Sequence, residues 1–203
     1  MRDARAIVGI QGGRGSFNDS AICDYLARHG QQNWEVRYLH TTAGVFEALG
    51  KREIDFGQFA VYNTVGGLYQ ESLEEIAANV FDIVEQFALP IAHALMIRKD
   101  EAFENVDRII SHAEVYKQCR ERLASEYPDL ACEVGTGELT DPASVARALD
   151  TGELPATVAV LSNRRLAELY NLRVVAADLQ DRRDSASTFL LVRRRNDRAI
   201  PST

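Results

Sequence analysis

The chain lacks most features that assign a protein to a special class at once. It has three cysteines, Cys23, Cys119 and Cys132, an odd count with no Cys-x-x-Cys spacing. That argues against a disulfide framework and for small buried thiols in a reducing compartment. The four histidines, His29, His40, His93 and His112, show no ligand spacing with cysteines or carboxylates. No metal is therefore expected. No apolar run reaches the length of a membrane span, and Met1-Arg2-Asp3-Ala4-Arg5 has no apolar leader core. The expectation is a cytoplasmic protein with no membrane partner. Positive charge is also short, with 23 Lys and Arg against 30 Asp and Glu, a net charge of −7. Broad nucleic-acid binding needs a basic surface and is excluded on that ground. A small anionic ligand stays open, because a local cleft can be positive on an acidic protein.

What is present is ordinary for a globular protein, with 46% hydrophobic and 26% charged residues. The length allows one large domain or two small lobes. Ala6-Ile7-Val8-Gly9-Ile10 reads as a buried strand, followed by a glycine-rich turn and an amphipathic helix through Ala21, Ile22, Tyr25 and Leu26. Further strands are expected at 36–39, 56–62, within 87–97, and at 108–110, 156–161, 173–177 and 189–192. Helices are expected at 45–49, 68–80, 116–127, 143–149 and 164–170, with a frayed polar tail from Arg193. This alternation implies α/β packing with mainly parallel sheets. The short units are too many for one open sheet, so two α/β lobes with a central cleft fit better.

Five constellations carry polar chemistry. Gly9-Ile10-Gln11-Gly12-Gly13-Arg14-Gly15-Ser16-Phe17-Asn18 joins a strand to a helix that Ser16 or Asn18 would cap, leaving amides for an anion. It is neither a dinucleotide fingerprint nor a P-loop, and taken alone it reads more as a tight structural turn than as a binding loop. Tyr62-Asn63-Thr64-Val65-Gly66-Gly67 places donors at a strand end, as an ordinary turn also would. Ser111-His112 follows an apolar strand, with Ser111 as a helix cap and His112 as a donor or proton carrier, or as a surface histidine. His93, alone in an apolar run, reads as a satisfied core residue. Ser187-Thr188-Phe189 enters the last strand, with hydroxyls but no evident base to make a nucleophile.

Each motif is weak singly, but their order and spacing are not. Gly12-Gly13-Arg14-Gly15-Ser16-Phe17 is similar to the Gly-Pro-x-Gly-Ser/Thr-Phe/Tyr loop of prephenate dehydratases, with Gly13 for proline. Ala60 to Gly67 resembles that family's Pro-Ile-Glu-Asn-Ser-x-x-Gly at Asn63 and Gly67, with Thr64 conservative. Leu89-Pro90-Ile91-Ala92-His93 resembles Leu-Pro-Ile/Val-x-His, while Ser111-His112 and Gln118-Cys119 resemble Ser-His-Pro-Gln and Gln-Cys. Ser185-Ala186-Ser187-Thr188-Phe189 stands where the family reads Asn-x-Thr-Arg-Phe. The resemblance runs from about residue 6 to residue 192.

It implies a single catalytic domain over 1–203, folded like a type II periplasmic binding protein. Lobe 1 would hold about 1–85 plus 176–203, and lobe 2 about 86–175. It also implies a homodimer, no cofactor, and a prephenate-like anion as substrate. Feedback through the C-terminal phenylalanine-binding domain of typical relatives is expected to be absent. By the same resemblance Ser187 and His112 are catalytic, and Gly15, Ser16, Phe17, Asn63, Thr64, Gly67, Ser111, Thr188 and Phe189 bind substrate. Besides Gly13, Ala60 for Pro and Ser187 for Thr, three further positions depart from the pattern. Tyr62 replaces Glu, Ser185 replaces Asn, and Thr188 replaces Arg, so the bidentate grip of a guanidinium on a carboxylate is lost. The implied reaction is decarboxylating dehydration of prephenate to phenylpyruvate, a lyase step in phenylalanine biosynthesis. The departures leave two alternatives, a non-aromatising prephenate decarboxylase that keeps the ring hydroxyl and an inactive binding module for a cyclohexadienyl or aromatic acid.

Overall fold

The computed structural model describes residues 5–31 and 33–195. The elements of the first lobe are β1 (Ala6–Ile10), α1 (Phe17–Arg28), β2 (Trp34–Tyr38), α2 (Thr42–Gly50), β3 (Phe56–Asn63), β4 (Gly67–Leu68), α3 (Gln70–Ala78) and β5 (Phe81–Pro90). The second lobe contains β6 (His93–Arg98), β7 (Arg108–Ser111), α4 (Ala113–Glu126), β8 (Ala131–Val134), α5 (Pro142–Thr151), β9 (Val158–Asn163), α6 (Arg165–Leu169) and β10 (Leu172–Ala176). The chain then returns to the first lobe as β11 (Ala186–Arg194).

Strands β2-β1-β3-β11-β5 form one sheet, with β4 beside β3, and β10-β6-β9-β7-β8 form the other. The sheets are mixed rather than mainly parallel. β1 pairs parallel with β2 and β3, and β7 with β8 and β9. The remaining pairs are antiparallel, β3–β4 as a hairpin and the others because the crossover strands β6 and β11 run opposite to their neighbours. Sequence periodicity does not register that choice. β8 was not anticipated either, because all four of its residues are exposed and carry no apolar pattern. β11 extends through Arg193 and Arg194, where fraying was expected, since both pair with β5. The rest of the expected tail lies outside the described residues. β5 pairs with β11 along its whole length, so the first sheet keeps the chain to Pro90 and the limit expected near 85 falls inside a strand. The crossovers are 91–92 and 177–185, stitched together by the Ile91 amide donating to the Ser185 carbonyl at 2.8 Å.

Each sheet is covered on both faces by helices over separate cores. Val8, Ile10, Ile22, Phe87 and Phe189 fill one side of the first sheet, and Val45, Leu49, Phe59 and Leu190 the other. Met96, Leu149, Val160 and Leu166 pack one side of the second sheet, and Leu95, Ile109, Cys119 and Leu161 the other. The helix starts follow local chemistry. Asp141 caps α5 with Pro142 behind it, and Gly152 closes the helix in a left-handed conformation. No helix among the described residues is long and apolar enough to cross a membrane.

Candidate active site

A cavity of about 830 Å³ lies between the two sheets. Five helices begin on it, since Phe17, Thr41, Tyr69, His112 and Asp141 all line its wall. First-turn amides have no acceptor within their own helix and present partial positive charge. Among the described residues lining the cavity there is no lysine or arginine. The wall therefore offers an anion backbone and side-chain donors rather than permanent cations.

The glycine turn is built for closeness. Gly15 has φ 86, and a Cβ there would fall 2.5 Å from Leu166 Cδ2 of the other lobe, so only glycine fits on both counts. Ser16, not Asn18, caps α1 by accepting the Asp19 amide at 3.2 Å. Asn18 instead accepts from the buried Gln58 amide at 3.2 Å.

Asn63 and Ser187 are register partners on β3 and β11. Asn63 Oδ1 accepts the Val65 and Gly66 amides, both at 2.9 Å, which fixes the side-chain amide with its nitrogen turned away from that loop. Asn63 Nδ2 then donates to Ser187 Oγ at 3.0 Å. With an Oγ lone pair engaged, the Ser187 hydroxyl proton is left to donate into the cavity. Both residues are almost fully buried, at 1% and 2% exposure, so that proton lies where water competes little.

His112, rather than Ser111, caps α4, accepting the Glu114 amide on Nδ1 at 3.1 Å. A neutral ring that accepts on Nδ1 carries its proton on Nε2, which makes His112 a donor. Ser111 is turned away, its hydroxyl donating to the Leu161 carbonyl across the sheet. Ser111, expected to bind substrate, is not among the residues that line the cavity.

His93 is not the satisfied core residue it resembled. It lines the cavity at 1% exposure, with Nε2 at 3.1 Å from Gln118 Oε1 and Nδ1 without a partner. Burial pushes its pKa down to about 4, with the Gln118 bond opposing the shift, so the ring is neutral at physiological pH. Gln118 Oε1 also accepts from Ser185 Oγ at 3.4 Å, which ties the substituted Ser185 to this cluster instead of the cavity wall.

Of the expected site residues, the fold brings Gly15, Ser16, Phe17, Asn63, His112 and Ser187 together on the cavity. Thr64 instead stitches a loop, accepting the Ala186 amide at 3.0 Å and donating to the Asp184 carbonyl at 3.2 Å. Gly67 takes φ 79 at the start of β4, paired with Asn63. Phe189 is core, stacked with Phe87 at 5.8 Å between centroids. Thr188 pairs across the strands with Tyr62, which is 40% exposed. Strand alternation turns both away from the cavity that Asn63 and Ser187 face. The two charge-losing departures are therefore one cross-strand pair outside the site. The Glu and Arg of the family pattern, placed here, would meet each other rather than a substrate. Sequence reasoning missed Gln11, His40, Gln118 and Asp141 on the wall. Of these, Gln118 sat within a quoted motif, and Asp141-Pro142 carried a readable helix-start signal. Among the described residues no three His, Cys, Asp or Glu side chains gather to hold a metal.

Comparison with known proteins agrees with this architecture. The chain is 27% identical over 200 residues to "Arogenate dehydratase/prephenate dehydratase 2, chloroplastic" of Arabidopsis thaliana, a match covering 98% of this chain and 49% of that protein. The chain thus spans about half the length of that relative. Among solved structures it resembles the prephenate dehydratase of Arthrobacter aurescens in complex with L-Phe, at TM-score 0.83 and 22% identity, covering 98% of this chain and 63% of that one. It also resembles GqqA, described as a novel type of quorum quenching acylase, at TM-score 0.76 and 19% identity, covering 96% and 66%. At such identities these two likenesses establish the fold and not the chemistry. The model of the family "Prephenate dehydratase" matches residues 8–197, nearly the whole chain, and the protein belongs to that family.

Proposed function

We propose that this chain is a lyase that converts prephenate to phenylpyruvate, with the site built by Ser187, Asn63, His112 and the Gly15-Ser16 turn. The observation that carries the reading is the Asn63–Ser187 pair, which leaves a hydroxyl proton free to donate at the cavity wall. In the proposed step the bond between the ring and its carboxylate breaks. Its electrons enter the ring, which becomes aromatic, and the C–O bond opposite breaks as hydroxide departs. Carbon dioxide leaves, and the hydroxide takes one proton to become water. Ser187 supports that departure by donating to the leaving oxygen and is reprotonated from solvent. The pyruvyl carboxylate is held by first-turn amides and the His112 Nε2–H.

The outward position of Tyr62 and Thr188 supports dehydration over the non-aromatising decarboxylase, because neither departure alters the cavity wall. The same reading takes a cytoplasmic homodimer as the working form, with the two lobes acting as one catalytic domain. Incubation with prephenate, with products separated by mass spectrometry against a no-enzyme control, tests it. Phenylpyruvate above the control is the expected result. A decarboxylated product that keeps its hydroxyl, or unchanged prephenate, would overturn it.

A further inference from the structure

We infer that Asp19 and Arg165 are positioning residues that couple the closed arrangement of the two lobes to the shape of the Gly12–Ser16 substrate turn. Asp19 lies on α1 of the first lobe and is 1% exposed. Its Oδ2 accepts the Gly15 amide at 2.9 Å, and its Oδ1 accepts the Tyr38 hydroxyl at 3.0 Å. The Cys23 thiol lies 3.8 Å from Oδ1. Among the described residues the cation in contact with this carboxylate comes from the other lobe, where Arg165 Nε stands 3.2 Å from Oδ2. The angle there is not that of a hydrogen bond, so the contact is ionic. Burial and the Asp19 charge together push the Tyr38 hydroxyl up to about 12, so the phenol stays a donor to this carboxylate at neutral pH.

A second link runs alongside. Asn163, at the end of β9, donates from Nδ2 to Ser20 Oγ at 2.7 Å and to the Ser16 carbonyl at 3.4 Å. Its Oδ1 accepts the Arg165 amide at 3.1 Å, which fixes the start of α6 against α1. Leu166 and Leu169 of α6 occupy the space a side chain at Gly15 would need. The turn that lines the cavity is thus gripped from below by Asp19 and from across the cleft by α6. A buried carboxylate is costly unless paired. Separating the lobes removes its cation and strips the force that orients Asp19 toward the Gly15 amide. Loop shape and lobe closure are therefore one event, and substrate that binds the shaped turn binds the closed cleft.

The kinetic arm of the test rests on the proposed reaction; the exchange arm does not. Arg165→Met removes the charge and keeps an unbranched apolar stem, and Arg165→Lys restores a charge. We expect Arg165→Met to raise KM for prephenate about tenfold with kcat within about threefold, and Arg165→Lys to recover most of that loss. Hydrogen exchange at the Gly15 amide should quicken about tenfold or more in the Met variant and return toward wild type in the Lys variant. A Met variant that is merely less stable, with Gly15 exchange and KM unchanged, would overturn the inference. So would altered exchange without any change in KM. Should Arg165→Met fail to fold, Arg165→Gln is held to the same two readouts. Wild type that leaves prephenate untouched would defeat the proposed reaction, while Gly15 exchange in the variants would still decide whether the lobes hold the turn.

Discussion

Replacing Ser187 by alanine removes one hydroxyl from the centre of the proposed site, and the structure sets two separable consequences. The first is chemical. Ser187 is the donor aimed at departing hydroxide, and loss of one such preorganised donor costs about 10²–10³ in kcat, roughly 3–4 kcal/mol of barrier. Binding of the ground state depends on helix amides and His112 instead, so KM should move by less than about threefold. The second consequence is structural. Asn63 Nδ2 loses its acceptor while Oδ1 keeps the Val65 and Gly66 amides. An unpaired buried amide N–H costs about 1–3 kcal/mol. For a chain of 203 residues that lowers the melting temperature by roughly 2–10 °C. Steady-state kinetics with prephenate and a thermal melt by circular dichroism read the two effects apart. Ser187→Thr, which keeps the hydroxyl, should retain most of the turnover. Full activity in Ser187→Ala, or equal loss in Ser187→Thr, would refute the assignment.

Further expectations follow from other parts of the molecule. His93 has a folded pKa near 4 against about 6.5 unfolded, so the unfolded chain binds more protons between those values. Stability is fully present above about pH 6.5 and falls as pH drops toward 4, by roughly 3 kcal/mol, and urea unfolding of His93→Asn should lack that slope. Phe189→Ala opens a cavity beside Phe87 and should cost about 3–5 kcal/mol in the same measurement, with loss under 1 kcal/mol counting against its core position. Thr188→Arg should leave the product ratio unchanged, because its side chain points away from the cavity; a product ratio different from wild type would contradict the placement. Paired with Tyr62→Glu, it should show a favourable coupling of about 0.2–1 kcal/mol in a double-mutant unfolding cycle.

The parts of the site legible in the sequence are those in which chemistry and position are both local. Ser16 caps the helix that it precedes, Asn63 sits at the end of its strand, and the glycine turn declares itself by composition. Thr188, expected on the site, lies off the cavity wall, and strand alternation carries that in the sequence, since Ser187 facing inward requires its neighbour to face out. Ser111 was the expected cap of α4, but His112 takes that place, and only the approach of the Leu161 carbonyl decides that the serine turns away. His93 looked satisfied because its run is apolar, whereas its surroundings are made by Gln118 and Phe17 brought from distant elements, and its Nδ1 is left without a partner. The mixed sheets were beyond periodicity, because parallel and antiparallel partners present the same alternation of side chains. Asp19 and Arg165 carry no signal at all until α1 and α6 are placed against each other.

The most direct measurement is the fate of the ring hydroxyl. Prephenate carrying a heavy-oxygen label on that hydroxyl is turned over by the protein, and product and water are weighed by mass spectrometry. The account predicts phenylpyruvate free of the label and heavy oxygen recovered in water, both dependent on Ser187. A decarboxylated product that still holds the label would contradict it.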